Sequence, residues 1–458
     1  MGFFKAYDMR GTFGVDFTFD TVRAVGMALP GILGAKKFLI GRDMRLTSRR
    51  MRDALVAGLI SAGAEIDDLG LASTPMVYFF TERTDCDASV QITASHNPAC
   101  DNGMKVSFGN ALPVGYSNGL DRVEKAVAEI LPPGVHGLPP PSVEIPPAKN
   151  APDAKRLAEY TAWLKERATD FSGLRFAVDC SNGMASIFAH ALFGEGPLYL
   201  NDTLDGTFPA HSPNPLSNEG REQISRAVRE QKLDLGIVFD GDADRVMFVD
   251  GDGKFVQPDY LIPVVARRGL AEEPGATVIH DVRTSRAAIE TLRGNGARTV
   301  MGKVGHAFAK PLMRAENALC GGELAGHYYF REFAGCDSGA LAAVKILDEA
   351  AESAANGVSF TGMMRPIVSK YANSGEMNFK VADMGKAVND VLKTARSLSR
   401  MTAESDIDGY RLEFEEGWVS IRKSNTEPYL RLIAETDTPE RLARWKAALC
   451  ETAERNHP

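Results

Sequence analysis

Three aspartates spaced two apart carry the strongest chemical signal in this 458-residue chain: Asp240, Asp242 and Asp244 in the run DGDADR, closed by Arg245. The run follows an apolar stretch, LGIVF, and so falls at the C-terminal end of a strand, where open α/β sheets bind ligands. In an extended segment this spacing points all three carboxylates the same way. They repel one another unless a cation sits among them, and hard oxygen ligands with no His or Cys suit magnesium or calcium. An EF-hand calcium loop is excluded, because its sixth and twelfth positions need Gly and Glu and here are Arg245 and Gly251. Taken alone, the run would also serve as a solvated acidic turn. DGDG at 250–253 reads as a hairpin turn only.

A second signal is TASHNP at 93–98. Ser95 follows a short β-like run and precedes a loop held by Pro98 and an expected turn at Asn102-Gly103. A serine hydroxyl is a weak nucleophile and needs a base or a polarising partner. His96 and Lys105 are the nearby polar groups. A serine turn or helix cap explains an isolated Ser-His pair equally well, but a magnesium-type run in the same chain favours chemistry. A third signal is RKSNTEPYLRL at 422–432, where a strand enters and another leaves. Arg422, Ser424, Asn425, Thr426 and Arg431 there make a phosphate cradle, or else a turn with solvated arginines. In the fourth, GGELAGH at 321–327, a tight loop brings Glu323 and His327 toward a ligand. A carboxylate and an imidazole suit sugar hydroxyls. Alone, this is also a glycine-rich turn.

The elements that position these groups alternate. KKFLIG, the stretch 64–69 and ASVQITAS read as strands, with a helix over SRRMRDALVAGLISAGA between the first two. A proline-rich stretch at 131–153 cannot be a helix or a central strand and reads as an extended linker. A second unit runs from the strand LRFAVDC to the strand–loop–strand around DGDADR. A third, from about Pro258, alternates helix and strand through ATVIHDV and RTVMG. The last, from about Val368, strings together GEMNFKV, GYRLEF, WVSIRKS and YLRLIAE, which argues for an antiparallel sheet with helices on one side. The expected domains are 1–150 with the Ser95 loop, 151–257 with the acidic run, 258–367 for sugar recognition and 368–458 for phosphate binding.

Bulk properties narrow the function. A net charge of -8 argues against nucleic-acid binding or an anionic membrane surface. An anionic substrate would have to be held by local Arg, Lys and N–H clusters. Six cysteines without CxxC spacing argue against a disulfide framework or a zinc site and fit a reducing, cytoplasmic setting. No apolar stretch approaches membrane-span length, and no leader is expected.

Taken together and in this order, these motifs resemble the α-D-phosphohexomutase superfamily over essentially the whole chain. TASHNP with the following NGMK, then DGDADR, GGE-x-x-GH and R-x-SNTEP are highly specific as a set. The opening KAYDMRG also matches, with Arg10 expected near the active serine and Tyr7 among the substrate contacts. The resemblance implies an α/β protein of four domains around a central cleft, three related mixed α/β units and a C-terminal antiparallel sheet with helices. It implies a phosphoserine at Ser95 and one Mg2+ held by Asp240, Asp242 and Asp244 with a phosphate oxygen on Ser95. Arg10, Arg245 and Lys105 would neutralise the serine phosphate, and Lys105 and His96 are both left open as proton carriers. The Arg422–Thr426 loop and Arg431 would hold the substrate's phosphate, and Glu323 and His327 would read ring hydroxyls. The substrates implied are hexose phosphates, with a hexose 1,6-bisphosphate intermediate and activator. A mobile C-terminal domain is expected, and monomer and homodimer are both left open.

Two departures bear on the sugar. Ala325 stands where the family's sugar loop usually has serine, which removes one hydroxyl contact. Arg283, in HDVRTS, stands where lysine is common. That arginine, with KVGHAFAK around His306 and HYYFREFAGCDSG, is similar to the mannose-phosphate branch of the family. Glucose phosphate, alone or as a second substrate, is the nearest alternative. Glucosamine phosphate and a magnesium-dependent sugar phosphatase are more distant ones.

Overall fold

A computed structural model describes residues 2–132, 137–424 and 429–457. The chain forms two compact units, one of residues 1–256 with 326–361 and one of 257–325 with 362–458.

The first unit opens with a five-stranded sheet in the spatial order Met9–Thr12, Asp101–Phe108, Ala88–Ile92, Lys37–Arg42, Glu65–Leu71. The last three are parallel, and the first two run antiparallel to their neighbours. Helices Phe19–Leu33 and Ser48–Ser61 bury Val22, Val25 and Leu29 with Leu55, Val56 and Leu59 in one core. Apolar positions at helical spacing drive this. NGMK is not a turn. It lies within Asp101–Phe108, with Gly103 opposite Arg10 on the first strand. A Cβ on Gly103 would stand 2.2 Å from the Met9 carbonyl oxygen, so glycine serves close strand approach here. Among its described residues the proline-rich stretch has neither helix nor strand. It is strapped to the sheet where Arg42 and Arg52 donate to the carbonyls of Lys149 and Pro146 at 2.8 and 2.6 Å.

The second sheet runs Phe255–Val256, Val246–Asp250, Leu235–Phe239, Phe176–Asp179, Leu198–Leu200. Its central strands are buried at every residue, which is why LGIVF, and VMFV before Asp250, read as continuous apolar runs. The same unit holds an antiparallel pair, Tyr328–Phe330 with Cys336–Asp337, leading into helix Gly339–Ala355.

In the second unit Arg298–Gly302, Thr277–Asp281 and Cys320–Gly322 are parallel. Helices Ile262–Glu272, Arg286–Gly294 and His306–Ala315 accompany them. The C-terminal sheet is antiparallel, in the order Ala372–Asn373, Tyr429–Thr436, Gly417–Lys423, Tyr410–Phe414, Met401–Ser405, with Met377–Lys380 also on Tyr429–Thr436. Helices Met384–Arg396 and Pro439–Glu454 share its core through Val391, Leu392, Trp445 and Leu449. Among the described residues no helix is long and apolar enough to cross a membrane.

Arg286 fastens the parallel part of this unit to its antiparallel sheet. Its N–H donates to Glu435, and its guanidinium to Glu413 and the carbonyls of Phe414, Glu415 and Gly417. Beside it, fully buried Asp259 accepts from the Ser285 N–H through Oδ2, while Oδ1 accepts no hydrogen bond. Burial, with Glu435 and Asp281 nearby, pushes the Asp259 carboxyl up from 3.8 to about 7. Because the folded value is the raised one, the stability it contributes is fully present below about pH 4 and lost as pH rises through about 7. Asp259→Asn should remove that decline, a difference on the order of 4 kcal/mol by pH 8. Parallel urea-unfolding profiles for wild type and variant at pH 4.5 and pH 8 would contradict it.

Candidate active site

In the first unit the serine and aspartate motifs meet. Ser95 Oγ donates to Asp240 Oδ2 at 3.0 Å and lies 3.4 Å from His96 Nδ1. The serine backbone is left-handed, φ 53°, an uncommon state for a side-chain-bearing residue that must be held by its surroundings. Three contacts hold it. Thr93 Oγ1 accepts from the Ser95 N–H at 2.8 Å. Arg45 donates to the carbonyls of Ser95, Asn97, Pro98 and Asp101 at 2.6–2.9 Å. Gly241 lets the acidic loop pack closely, since a Cβ there would sit 2.6 Å from the Ser95 carbonyl oxygen. Arg10 reaches the same loop, donating to Asn97 Oδ1 at 3.0 Å while paired with Asp8 at 2.6 Å. Tyr7 is half-buried in the bend before that strand.

The aspartates do not converge by extension, as two-residue spacing suggests. DGDADR is the turn joining Leu235–Phe239 to Val246–Asp250, and Ala243 at φ 61° reverses the chain so that all three carboxylates face inward. The turn is needed because those two strands are adjacent and antiparallel. Lys105 Nζ, projecting from Asp101–Phe108, donates to Asp242 Oδ2 at 2.8 Å and Asp244 Oδ2 at 2.5 Å. Thr74 Oγ1 also donates to Asp242 Oδ2, at 2.5 Å, and the Thr74 N–H to the Asp242 carbonyl at 3.0 Å. Thr74 begins helix Thr74–Arg83, so an N–H with no intrahelical partner is spent on the acidic loop.

Six carboxylate oxygens thus divide into two groups. Four accept hydrogen bonds, while Asp242 Oδ1 and Asp244 Oδ1 are buried and accept none. One oxygen from each aspartate lies within 4.8 Å of the other two. Unsatisfied buried carboxylate oxygens are costly unless a cation takes them. An all-oxygen set of this kind fits a hard divalent ion. Burial, then repulsion from Asp244 and Asp242, pushes the Asp240 carboxyl well above the usual range. Burial acts the same way on Asp244, but Lys105, His327 and Arg245 outweigh it and hold that carboxyl well below the range. Burial lowers the His96 imidazole, and Arg245 and Arg10 lower it further, so it is neutral near pH 7.

His327 belongs with this cluster. Its Nε2 accepts from Arg245 Nε at 3.1 Å and lies 3.5 Å from Asp244 and 3.7 Å from Asp337. Glu323, four residues earlier, belongs to the second unit and accepts from the Gly305 N–H at 3.1 Å. The GGELAGH spacing therefore does not place Glu323 and His327 in one compact unit.

In the second unit Arg283 grips Asp281, with Nη2 2.7 Å from Oδ2, and Asp281 also accepts from the Leu324 N–H at 3.1 Å. Burial would raise the Asp281 carboxyl, but Arg283 outweighs it and holds it low. Arg422 and Arg431 are opposite one another on adjacent strands. Arg422 donates to Asp408 Oδ2 at 2.7 Å, and the same oxygen accepts from the Val304 N–H at 3.0 Å. His306 opens the helix just after that loop. Ala325 is half-buried, and Ser424 follows strand Gly417–Lys423 with its N–H on the Tyr429 carbonyl. Asn425 and Thr426 lie outside the described residues.

Sequence reasoning missed Arg45, Thr74, Asp337 and Asp408. Only Arg45 left a signal, a charged group just past the C-terminal end of a parallel strand.

Four family domains match successive parts of this chain. Phosphoglucomutase/phosphomannomutase alpha/beta/alpha domains I, II and III match residues 1–131, 158–253 and 257–367, and the C-terminal domain matches 376–452. The chain belongs to the phosphoglucomutase/phosphomannomutase family, three mixed α/β domains and an antiparallel C-terminal domain, and is a phosphohexomutase, an isomerase. It is 36% identical over 453 residues, 98% of this chain and 96% of the relative, to a protein of Xanthomonas campestris pv. campestris (strain B100) described as phosphohexose mutases. It is 34% identical over 447 residues, 94% of each chain, to an Escherichia coli phosphomannomutase. A solved phosphoglucomutase/phosphomannomutase family protein from Burkholderia thailandensis superposes with a TM-score of 0.85 at 26% identity, covering 99% of this chain and 97% of that one.

Proposed function

We propose that this phosphohexomutase interconverts mannose 6-phosphate and mannose 1-phosphate through a phosphoserine at Ser95 and a hexose 1,6-bisphosphate. The observation that carries the reading is the seat of Ser95, with its hydroxyl 3.0 Å from Asp240 in a cluster that has two unclaimed carboxylate oxygens. Phosphoryl transfer depends on positioning and charge neutralisation more than on covalent help. Asp240, Asp242 and Asp244 would hold one Mg2+, which when bound neutralises phosphoryl charge as a Lewis acid.

This chain's own residues do the rest. Arg45 and Thr93 aim the serine loop, and Arg10, Lys105 and Arg245 supply positive charge around Ser95. Neutral His96, 3.4 Å from Ser95 Oγ, is placed to accept a proton from a sugar hydroxyl as it takes the phosphoryl group, with Lys105 the other candidate proton carrier, and His327, beside Arg245, would read a ring hydroxyl. Arg283, His306, Glu323, Arg422, Ser424 and Arg431 would read the sugar and its resident phosphate. Turning the bisphosphate end for end lets one centre serve both positions of the sugar.

Mannose is favoured over glucose by Arg283 and by the phosphomannomutase named among the relatives. A phosphatase reading is less supported, because the aspartates are engaged by Lys105, Thr74 and Arg245 while a serine stands beside them. Coupled assays with mannose 1-phosphate and glucose 1-phosphate, with magnesium and a trace of bisphosphate, test it. A kcat/KM ratio favouring mannose is expected. A ratio favouring glucose would reassign the sugar, and release of inorganic phosphate without isomerisation would overturn the mutase reading.

A further inference from the structure

The arginines that the reading above assigns to the sugar and its phosphate are already paired in this structure, and the pairing is uneven. Arg283 holds Asp281 through Nε and Nη2 at 2.7–3.3 Å, a fork contact with Arg283 and Asp281 side chains 5% and 1% exposed. The Arg283 Nη1 is turned the other way, toward Glu376 Oε2 at 3.5 Å. The other oxygen of Glu376 accepts from Arg431 Nη1 at 3.1 Å. Glu376 therefore bridges two arginines that come from different strands, one just past Thr277–Asp281 and one on Tyr429–Thr436.

Glu376 is also the looser partner. Its side chain is 20% exposed, it sits outside any strand just before Met377–Lys380, and Oε2 is buried without a hydrogen bond. A buried carboxylate oxygen that is near a guanidinium but not bonded to it is poorly satisfied. Among the described residues, three arginines (Arg283, Arg422, Arg431) face Asp281, Asp408 and Glu376, with Glu323 also near Arg283, so the positive charge of the arginines is already offset. An incoming phosphate gains little from a cation that stays paired, so it must exchange with a carboxylate. The Asp281 fork is the tightest pair, and Glu376 is the partner positioned to leave.

We propose that Glu376 is a placeholder carboxylate. It occupies the anion seat between Arg283 and Arg431, exchanges with the substrate's phosphate group, and by returning helps release product. The inference rests on the sugar-phosphate reading above and adds a positioning residue that speeds turnover at the expense of affinity. Without it the two arginines would hold phosphate too well.

Calorimetric titration with mannose 6-phosphate and separately with inorganic phosphate tests the exchange, alongside steady-state kinetics. In Glu376→Gln, removal of one negative charge within hydrogen-bonding range should tighten binding of both ligands about tenfold. KM and kcat should fall together, leaving kcat/KM near wild type. Glu376→Asp keeps the charge but withdraws it by one methylene, and should fall between the two. Weaker or unchanged binding in both variants would overturn the proposal and make Glu376 a simple brace for the arginines. If the wild type binds no hexose phosphate, the sugar-phosphate reading fails. The inorganic phosphate titration then still decides the exchange.

Discussion

Ser95→Ala should fold, keep its acidic cluster and lose isomerisation by about 10^4-fold or more. The hydroxyl is the atom that takes and returns the phosphoryl group in the proposed mechanism, and nothing else at the centre is placed to substitute for it. His96 is adjacent but neutral, and the aspartates are engaged by Lys105, Thr74 and the Arg245 N–H. The stability cost should be small. One hydrogen bond to a buried carboxylate is lost, about 1–2 kcal/mol, and the left-handed backbone is kept because Arg45 and Gly241 hold it from outside the side chain. Coupled kinetics and incorporation of label from a hexose bisphosphate give the check. A variant that still isomerises at a tenth of the wild-type rate would rule out the phosphoserine.

Lys105→Met should show the second large effect, on stability as well as rate. Lys105 is buried between Asp242 and Asp244, and burial lowers its ammonium pKa less than those two carboxylates raise it. Taking the cation away leaves two buried carboxylates against Asp240 with one positive neighbour fewer. Removing one partner of a buried pair costs about 3–5 kcal/mol. Magnesium should restore part of this, about 3 kcal/mol at a concentration a hundredfold above its dissociation constant. The wild type, which keeps its internal cation, should gain less. Thermal unfolding of both proteins with and without magnesium measures the difference. Equal metal stabilisation in the two would mean that Lys105 and the metal do not share the same carboxylates.

Much of this molecule was legible in one dimension. The alternation of short apolar strands with amphipathic helices marks the α/β sheets, because burying strands on both faces demands continuous apolar runs such as LGIVF. The last C-terminal strands, from Met401–Ser405 to Tyr429–Thr436, stand out because no helix separates them. The groups proposed to carry the chemistry stood out because few residue types can polarise a serine, gather a hard cation or fork onto a phosphate.

What only the folded chain decided is which groups share a centre. Ser95 and Asp240 are 145 residues apart yet 3.0 Å apart in space, because each follows the C-terminal end of the central strand of its own sheet and the two loops pack where Gly241 has no side chain. The aspartates converge through a left-handed turn at Ala243, a conformation that composition does not announce. NGMK became strand rather than turn because Met9–Thr12 supplies a pairing partner from 93 residues upstream. His327 and Glu323, neighbours in a glycine-rich motif, went to different compact units. Arg45 and Thr74 carry no motif, since their contribution is to orient another group. Residue type and spacing record what a side chain can do, whereas its partners depend on long-range packing that local patterns do not encode.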